Sequence, residues 1–74
     1  MNKEYEKIIG MNIRNLREKA GLTQELLSAK LQVNGCDITR SALAKIEVGQ
    51  RHLYPDEIKL IKEILCVEYD DILI

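Results

Sequence analysis

The chain has 74 residues, enough for one domain with a small core, and the expectation is a single domain spanning 1–74. Two cysteines and one histidine, with no CxxC or HxxxH spacing, exclude a disulfide scaffold and a structural zinc site. A net charge of -1, from eleven basic and twelve acidic residues, does not by itself favour a nucleic-acid partner, so what matters is where the charges sit.

No apolar run near the N-terminus has signal-peptide length, and no stretch could span a bilayer, so the expected location is cytoplasmic. Strand signals are weak, because no segment alternates apolar and polar residues over a useful length. The helical period is clear. Tyr5, Ile9, Ile13, Leu16 and Ala20 step by four, four, three and four, which predicts a first helix with these residues on its buried stripe. Arg14, Arg17, Glu18 and Lys19 fill its other faces, and Gly21 stands where a left-handed residue ends a helix.

Thr23 reads as the cap of a second helix, Gln24 to Leu31, with Leu27 and Leu31 inward. Leu26 occupies the position where a capping box would carry Glu. Asn34-Gly35 is a turn signal. Thr39 caps a third helix through Glu47, anchored by Ile38, Ala42, Leu43 and Ile46, and Gly49 stops it. Pro55 suits the first turn of a fourth helix, whose core stripe is Ile58, Ile61, Ile64 and Leu65, and Asp56 and Glu57 complement its positive end. A short fifth helix, about Tyr69 to Leu73, follows. The expected fold class is all-α, a compact bundle of five short helices.

The outward residues of the third helix form a short, alanine-rich face that fits a major groove ~12 Å wide. Between Thr39 and His52 the charge balance reverses, with Arg40, Lys45 and Arg51 against Glu47 alone. At this point the chain resembles the phage repressor/Cro (XRE-type) helix-turn-helix family. Leu16-Arg17-Glu18-Lys19-Ala20-Gly21-Leu22-Thr23-Gln24-Glu25 is similar to the family's opening, and Ala44-Lys45-Ile46-Glu47-Val48-Gly49-Gln50-Arg51 to its recognition-helix exit. Leu65 to Leu73 is similar to its last two helices, so the resemblance covers about Ile9 to Leu73.

The resemblance implies a lambda-repressor-like fold with the helix-turn-helix in helices 2 and 3, and double-stranded DNA as partner through the major groove. It implies that Gln24 contacts a phosphate, that Arg40, Ser41 and Lys45 face base edges, and that Thr39 and the Gln50-Arg51 turn contact backbone phosphates. Arg17 and Glu47 match a pair that members use as a structural salt bridge between helices 1 and 3. The sequence also departs from the pattern. Gln32 through Ile38 makes a lengthened turn that would bring Asn34 and Cys36 near the DNA side. Val48 stands where Asn is common, and Cys66 stands at a left-handed helix terminus where Gly or Asn is usual.

The plainer readings stand beside these. Arg40 and Lys45 could simply solvate an exposed face. Gln24 could be a polar helix-start residue, and Arg17 and Glu47 two unrelated surface charges. His52 reads as a surface turn residue. Catalysis lacks support, because Ser28 and Ser41 have no nearby base and no Asp/His pair surrounds Cys36. No cofactor or small-molecule ligand is expected, since the chain offers no second domain to hold one. The leading expectation is a sequence-specific transcriptional regulator, a repressor that occludes its operator. The alternative is a helical protein-interaction module that has lost DNA binding, which the overall acidity favours. A homodimer is expected, at least on DNA, through an apolar C-terminal patch of Tyr69, Ile72, Leu73 and Ile74.

Overall fold

The computed structural model describes residues 2–74. They form α1 (Lys3–Lys19), α2 (Gln24–Val33), α3 (Arg40–Glu47), α4 (Pro55–Leu65) and α5 (Tyr69–Leu73), with no strand among the described residues. The helix termini follow from local chemistry. Asn2 caps α1, its Oδ1 accepting from the N–H groups of Glu4 and Tyr5 at 2.8 and 3.1 Å. Thr23 and Thr39 cap α2 and α3, each Oγ1 accepting from an N–H three residues on, Leu26 and Ala42, at 3.1 Å. Gly21 ends α1 at φ +76°, and Pro55 opens α4.

The core gathers one stripe from each helix. Ile9 and Ile13 of α1 meet Leu27 and Leu31 of α2, Leu43 and Ile46 of α3, Ile61 and Leu65 of α4, and Ile72 of α5. Ile38 and Leu53, in the segments on either side of α3, complete it. No helix is long and apolar enough to cross a membrane among the described residues.

Several expectations need correction. α2 runs to Val33, two residues past the expected end at Leu31, so the turn is Asn34 through Thr39. Val33 is 86% exposed, so it extends the helix without adding to any buried stripe, and periodicity cannot register it. The turn is still longer than the three or four residues usual between such helices. Asn34 and Cys36, expected near the DNA side, border α4. They line a shallow cleft with Asp56, Lys59 and Glu63 of α4.

Tyr5 is on the expected stripe but is 39% exposed. Its hydroxyl donates to the Leu73 carbonyl at 2.5 Å, so it tethers α5 instead of filling the core. Ala20 is exposed at the end of α1, and Ile58 and Ile64 are only half-buried. Ile72 is fully buried, so it belongs to the core and not to a C-terminal patch. Cys66 does adopt the left-handed conformation, φ +57°, the only described residue other than glycine to do so.

The contact that positions α3 is a close crossing with α1 at Gly10. A Cβ built there would lie 2.8 Å from the Glu47 carbonyl oxygen and 2.9 Å from its carbon. Glycine is therefore required at this point so that the two backbones can touch.

Candidate nucleic-acid interface

α3 has two faces. Leu43, Ile46 and Glu47 are buried, with Ala42 half-buried beside them. Arg40, Ser41, Lys45 and Val48 are exposed, with half-buried Ala44 among them. The helix thus presents a ridge that is low at its centre and carries a cation at each end. Such a ridge has the dimensions and charge to enter a major groove.

The orientation of that ridge is set by a charged cluster beneath it. Arg17 of α1 donates bidentately to Glu47 of α3, Nε to Oε2 at 2.8 Å and Nη2 to Oε1 at 3.1 Å. The two side chains are 9% and 1% exposed. Arg17 Nη1 also donates to the Leu22 carbonyl at 2.8 Å, and Gln24 Nε2 donates to Glu47 Oε1 at 3.0 Å. Three helices therefore converge on one carboxylate. Its hydrogen bonds and charge hold the Arg17 guanidinium above its ordinary pKa, against the opposing effect of burial. A bidentate pair fixes angle as well as distance, which is the property needed to aim a helix. The expected Arg17–Glu47 bridge is thus present and buried.

Gln24 stands at the start of α2, where the resemblance puts it, but its carboxamide nitrogen is committed to Glu47. Near it, Arg14, Thr23 and Arg40 border an open cleft at the N-terminus of α2. The positive end of the helix dipole and Arg40 favour an anion there; Arg14 is shared with Glu18 at 3.6 Å, and Glu25 also lines the cleft.

Past the C-terminal end of α3 the chain turns through Gly49, φ +78°. Gln50 is exposed beyond it. Arg51, expected at a phosphate, is instead folded back. Its guanidinium donates to both carboxylate oxygens of Glu57 at 3.0 Å and to the His52 carbonyl at 2.8 Å. His52 is largely exposed in its turn, as expected, and pairs with the buried carboxylate of Glu6. Thr39 uses its hydroxyl as the α3 cap. Of the residues singled out in the sequence, Thr39, Arg40, Ser41, Lys45 and Gln50 are exposed. Gln24 and Arg51 are tied into the protein.

The His52–Glu6 and Arg51–Glu57 pairs and the Gln24–Glu47 bond were not anticipated. The residues in these pairs lie 46, 6 and 23 positions apart, outside the reach of any single helix's periodicity. No cluster of potential metal ligands occurs among the described residues. Cys36 is half-buried; burial and the nearby carboxylates of Glu57 and Asp56 push its thiol pKa up, which keeps it protonated and unreactive at neutral pH.

No curated protein and no solved structure gives a significant match to the chain. The helix-turn-helix family model matches residues 13–72, which include α2, the turn and α3. With that match and this geometry, the chain belongs to the XRE-type helix-turn-helix family of DNA-binding transcription regulators.

Proposed function

We propose that this protein is a sequence-specific repressor that seats α3 in the major groove of its operator and excludes other proteins by occupying the site. The supporting observation is the exposed Arg40–Ser41–Ala44–Lys45 ridge on a helix whose rotation is locked from below by the buried Arg17–Glu47–Gln24 cluster. In this reading Arg40, Ser41 and Lys45 reach base edges. Thr39, Gln50 and the N-terminus of α2 at Gln24 approach backbone phosphates. Arg51 acts by holding the Gln50 turn in place through Glu57, with its own charge near enough to add to the local field.

The protein works as a homodimer on a two-fold site. One helix reads only a few base pairs, and a domain of this size buries ~600–1,000 Å² on DNA, too little to select one operator in a genome. An apolar surface is available for self-association. Ile74 is 82% exposed, and Ile8 and Met11 of α1 are about half exposed. Ile8 and Met11 lie beside Tyr5 and Asn12, whose side chains donate to the Leu73 and Ile72 carbonyls of the C-terminal segment. No cofactor, metal or small-molecule ligand enters this reading. The net charge of -1 favours the alternative of a protein-interaction module, and the same experiment separates the two.

The test is selection of bound sites from a random duplex pool, followed by binding of the selected duplex by the wild-type chain and by Lys45→Ala. The expected product is a pair of inverted half-sites about 10 base pairs apart, centre to centre. Lys45→Ala is expected to cost about 1–3 kcal/mol and to relax preference at one base position per half-site. Recovery of no preferred sequence would refute the sequence-specific reading, and a lone half-site would refute the dimer.

A further inference from the structure

The family match begins at residue 13, yet α1 starts at Lys3. The nearly three turns that precede the match are built into the protein. Glu6, Ile9 and Gly10 are buried, and Gly10 meets the C-terminal backbone of α3. Lys3, Lys7, Gly10 and Arg14 step by four, three and four, so they form one stripe along α1. α3 meets this stripe at Gly10. The cations of the stripe therefore fall on both sides of the α3 terminus, Arg14 on one and Lys3 and Lys7 on the other.

Each side opens into a cleft. Arg14 shares the first with Arg40 and the N-terminus of α2. Lys3 and Lys7 share the second, about 500 Å³, with Val48, Gly49 and Gln50. Val48 and Gln50 are exposed where α3 ends, so this second cleft is continuous with the outward ridge. The α1 backbone comes against the turn itself, since a Cβ on Gly49 would lie 3.0 Å from the Lys7 Cα. Two acids and Arg51 share the lining. Arg51 pairs with Glu57, and the buried Glu6 carboxylate is taken up by the His52 ring, so Glu4 is the one exposed acid among the lining residues. Lys3 and Lys7 form no ion pair among the described residues.

We infer that Lys3 and Lys7, on the N-terminal extension of α1, form with Gln50 a second phosphate seat, which grips the DNA strand on the far side of the groove from the α2 N-terminus. The inference rests on the reading of α3 as the groove-entering helix. A helix in the major groove is bordered by one sugar-phosphate strand on each side. The α2 N-terminus serves one strand. The Lys3–Lys7 cleft lies on the opposite side of the α1–α3 crossing, past the C-terminus of α3, and supplies two ammonium groups on flexible stems, which suit phosphate as point charges without a fixed geometry. This seat contributes affinity and docking angle but no sequence information.

The test compares the wild-type chain with Lys3→Gln/Lys7→Gln and with Lys3→Arg/Lys7→Arg, on the duplex selected by the wild type and on a random duplex. Binding is measured from low to moderate salt, and phosphate contacts are mapped by ethylation interference. Each phosphate contact contributes ~0.9 to the slope of log affinity on log salt, so the Gln variant is expected to lower the slope by about 1.8. At ~0.1 M salt, affinity is expected to fall on the order of ten- to sixty-fold on both duplexes, with unchanged base preference. Interference is expected to vanish at the phosphates on the turn side of each half-site and to persist on the α2 side. The Arg variant is expected to retain the wild-type slope and footprint. Both lysines are exposed, and circular dichroism of each variant checks that the helices remain. An unchanged slope and footprint in a folded Gln variant, beside a Lys45→Ala chain that still alters base preference, would overturn this seat alone. Failure of the wild type to bind either duplex would overturn both this seat and the reading on which it rests.

Discussion

The two ends of α3 are held by different physics. At its C-terminal end, Glu47 receives directional, charge-assisted hydrogen bonds from Arg17 and Gln24, and the backbone rests against Gly10. At its N-terminal end the anchor is Ile38, fully buried within the six-residue turn Asn34–Thr39, which is tied back to α2 through Gln32 Nε2 donating to the Ile38 carbonyl at 3.1 Å. An apolar plug sets how deep the helix sits but tolerates rotation, because the hydrophobic effect has no direction. A bidentate ion pair sets rotation, and rotation decides which residues face outward. A lengthened turn is thus compatible with a well-aimed helix, since the aim comes from the opposite end.

Three variants would break this comparison. Glu47→Ala leaves the Arg17 guanidinium buried without its partner, with an expected loss of ~3–5 kcal/mol in urea titration. That is a large share of the total stability of a domain this small. Replacing both Arg17 and Glu47 with apolar residues is expected to cost less than Glu47→Ala alone, and to recover folding without recovering base preference. Ile38→Ala removes a fully buried side chain, with an expected loss of about 2–5 kcal/mol. The fraction that remains folded is expected to keep its base preference, because the Arg17–Glu47–Gln24 cluster is intact. Base preference lost in Ile38→Ala and retained in the apolar double variant would reverse the assignment of depth and aim.

The fold was legible in the sequence where local chemistry decides it. The caps at Thr23 and Thr39, the stop at Gly21 and the start at Pro55 each involve a side chain and backbone a few residues apart, and all stand where expected. The bounds of α3 were legible for the same reason. What escaped depends on partners distant in sequence. Tyr5 fits a buried period, but only the presence of α5 reveals that its hydroxyl is needed at Leu73. Ile72 and Ile74 have the same side chain two positions apart, and only packing separates one fully buried from one 82% exposed. For the site, residue type identified the exposed ridge, and resemblance, not spacing, identified the Arg17–Glu47 bridge. Arg51 looked like a phosphate ligand because an arginine after a recognition helix carries no local sign of an acid that will capture it.

That capture yields the smallest expected effect and sharpens the picture of how the C-terminal end of α3 is held. Glu57 sits in the first turn of α4, where it accepts from the Tyr54 N–H at 3.1 Å and from both terminal nitrogens of Arg51. Burial pushes its carboxyl pKa up, but the hydrogen bonds from Arg51 and Tyr54 outweigh this and hold it below the ordinary carboxylate range. A carboxyl with a lowered pKa in the folded state adds stability that is fully present above its unfolded value, ~4.3, and is lost as pH falls through the folded one. Glu57→Gln keeps the shape but not the charge, so it is expected to cost about 1 kcal/mol at neutral pH. The difference from wild type is expected to shrink below pH ~4, where the wild-type carboxyl also becomes neutral. Every other acid, Glu47 included, is present in both chains and cancels in the comparison. Urea titrations of the two chains from pH ~7 to ~3 make the measurement. A difference that stayed constant into acid would mean that Arg51 is not held by the Glu57 charge, and the Arg51 guanidinium would then be free to take the phosphate contact first expected of it.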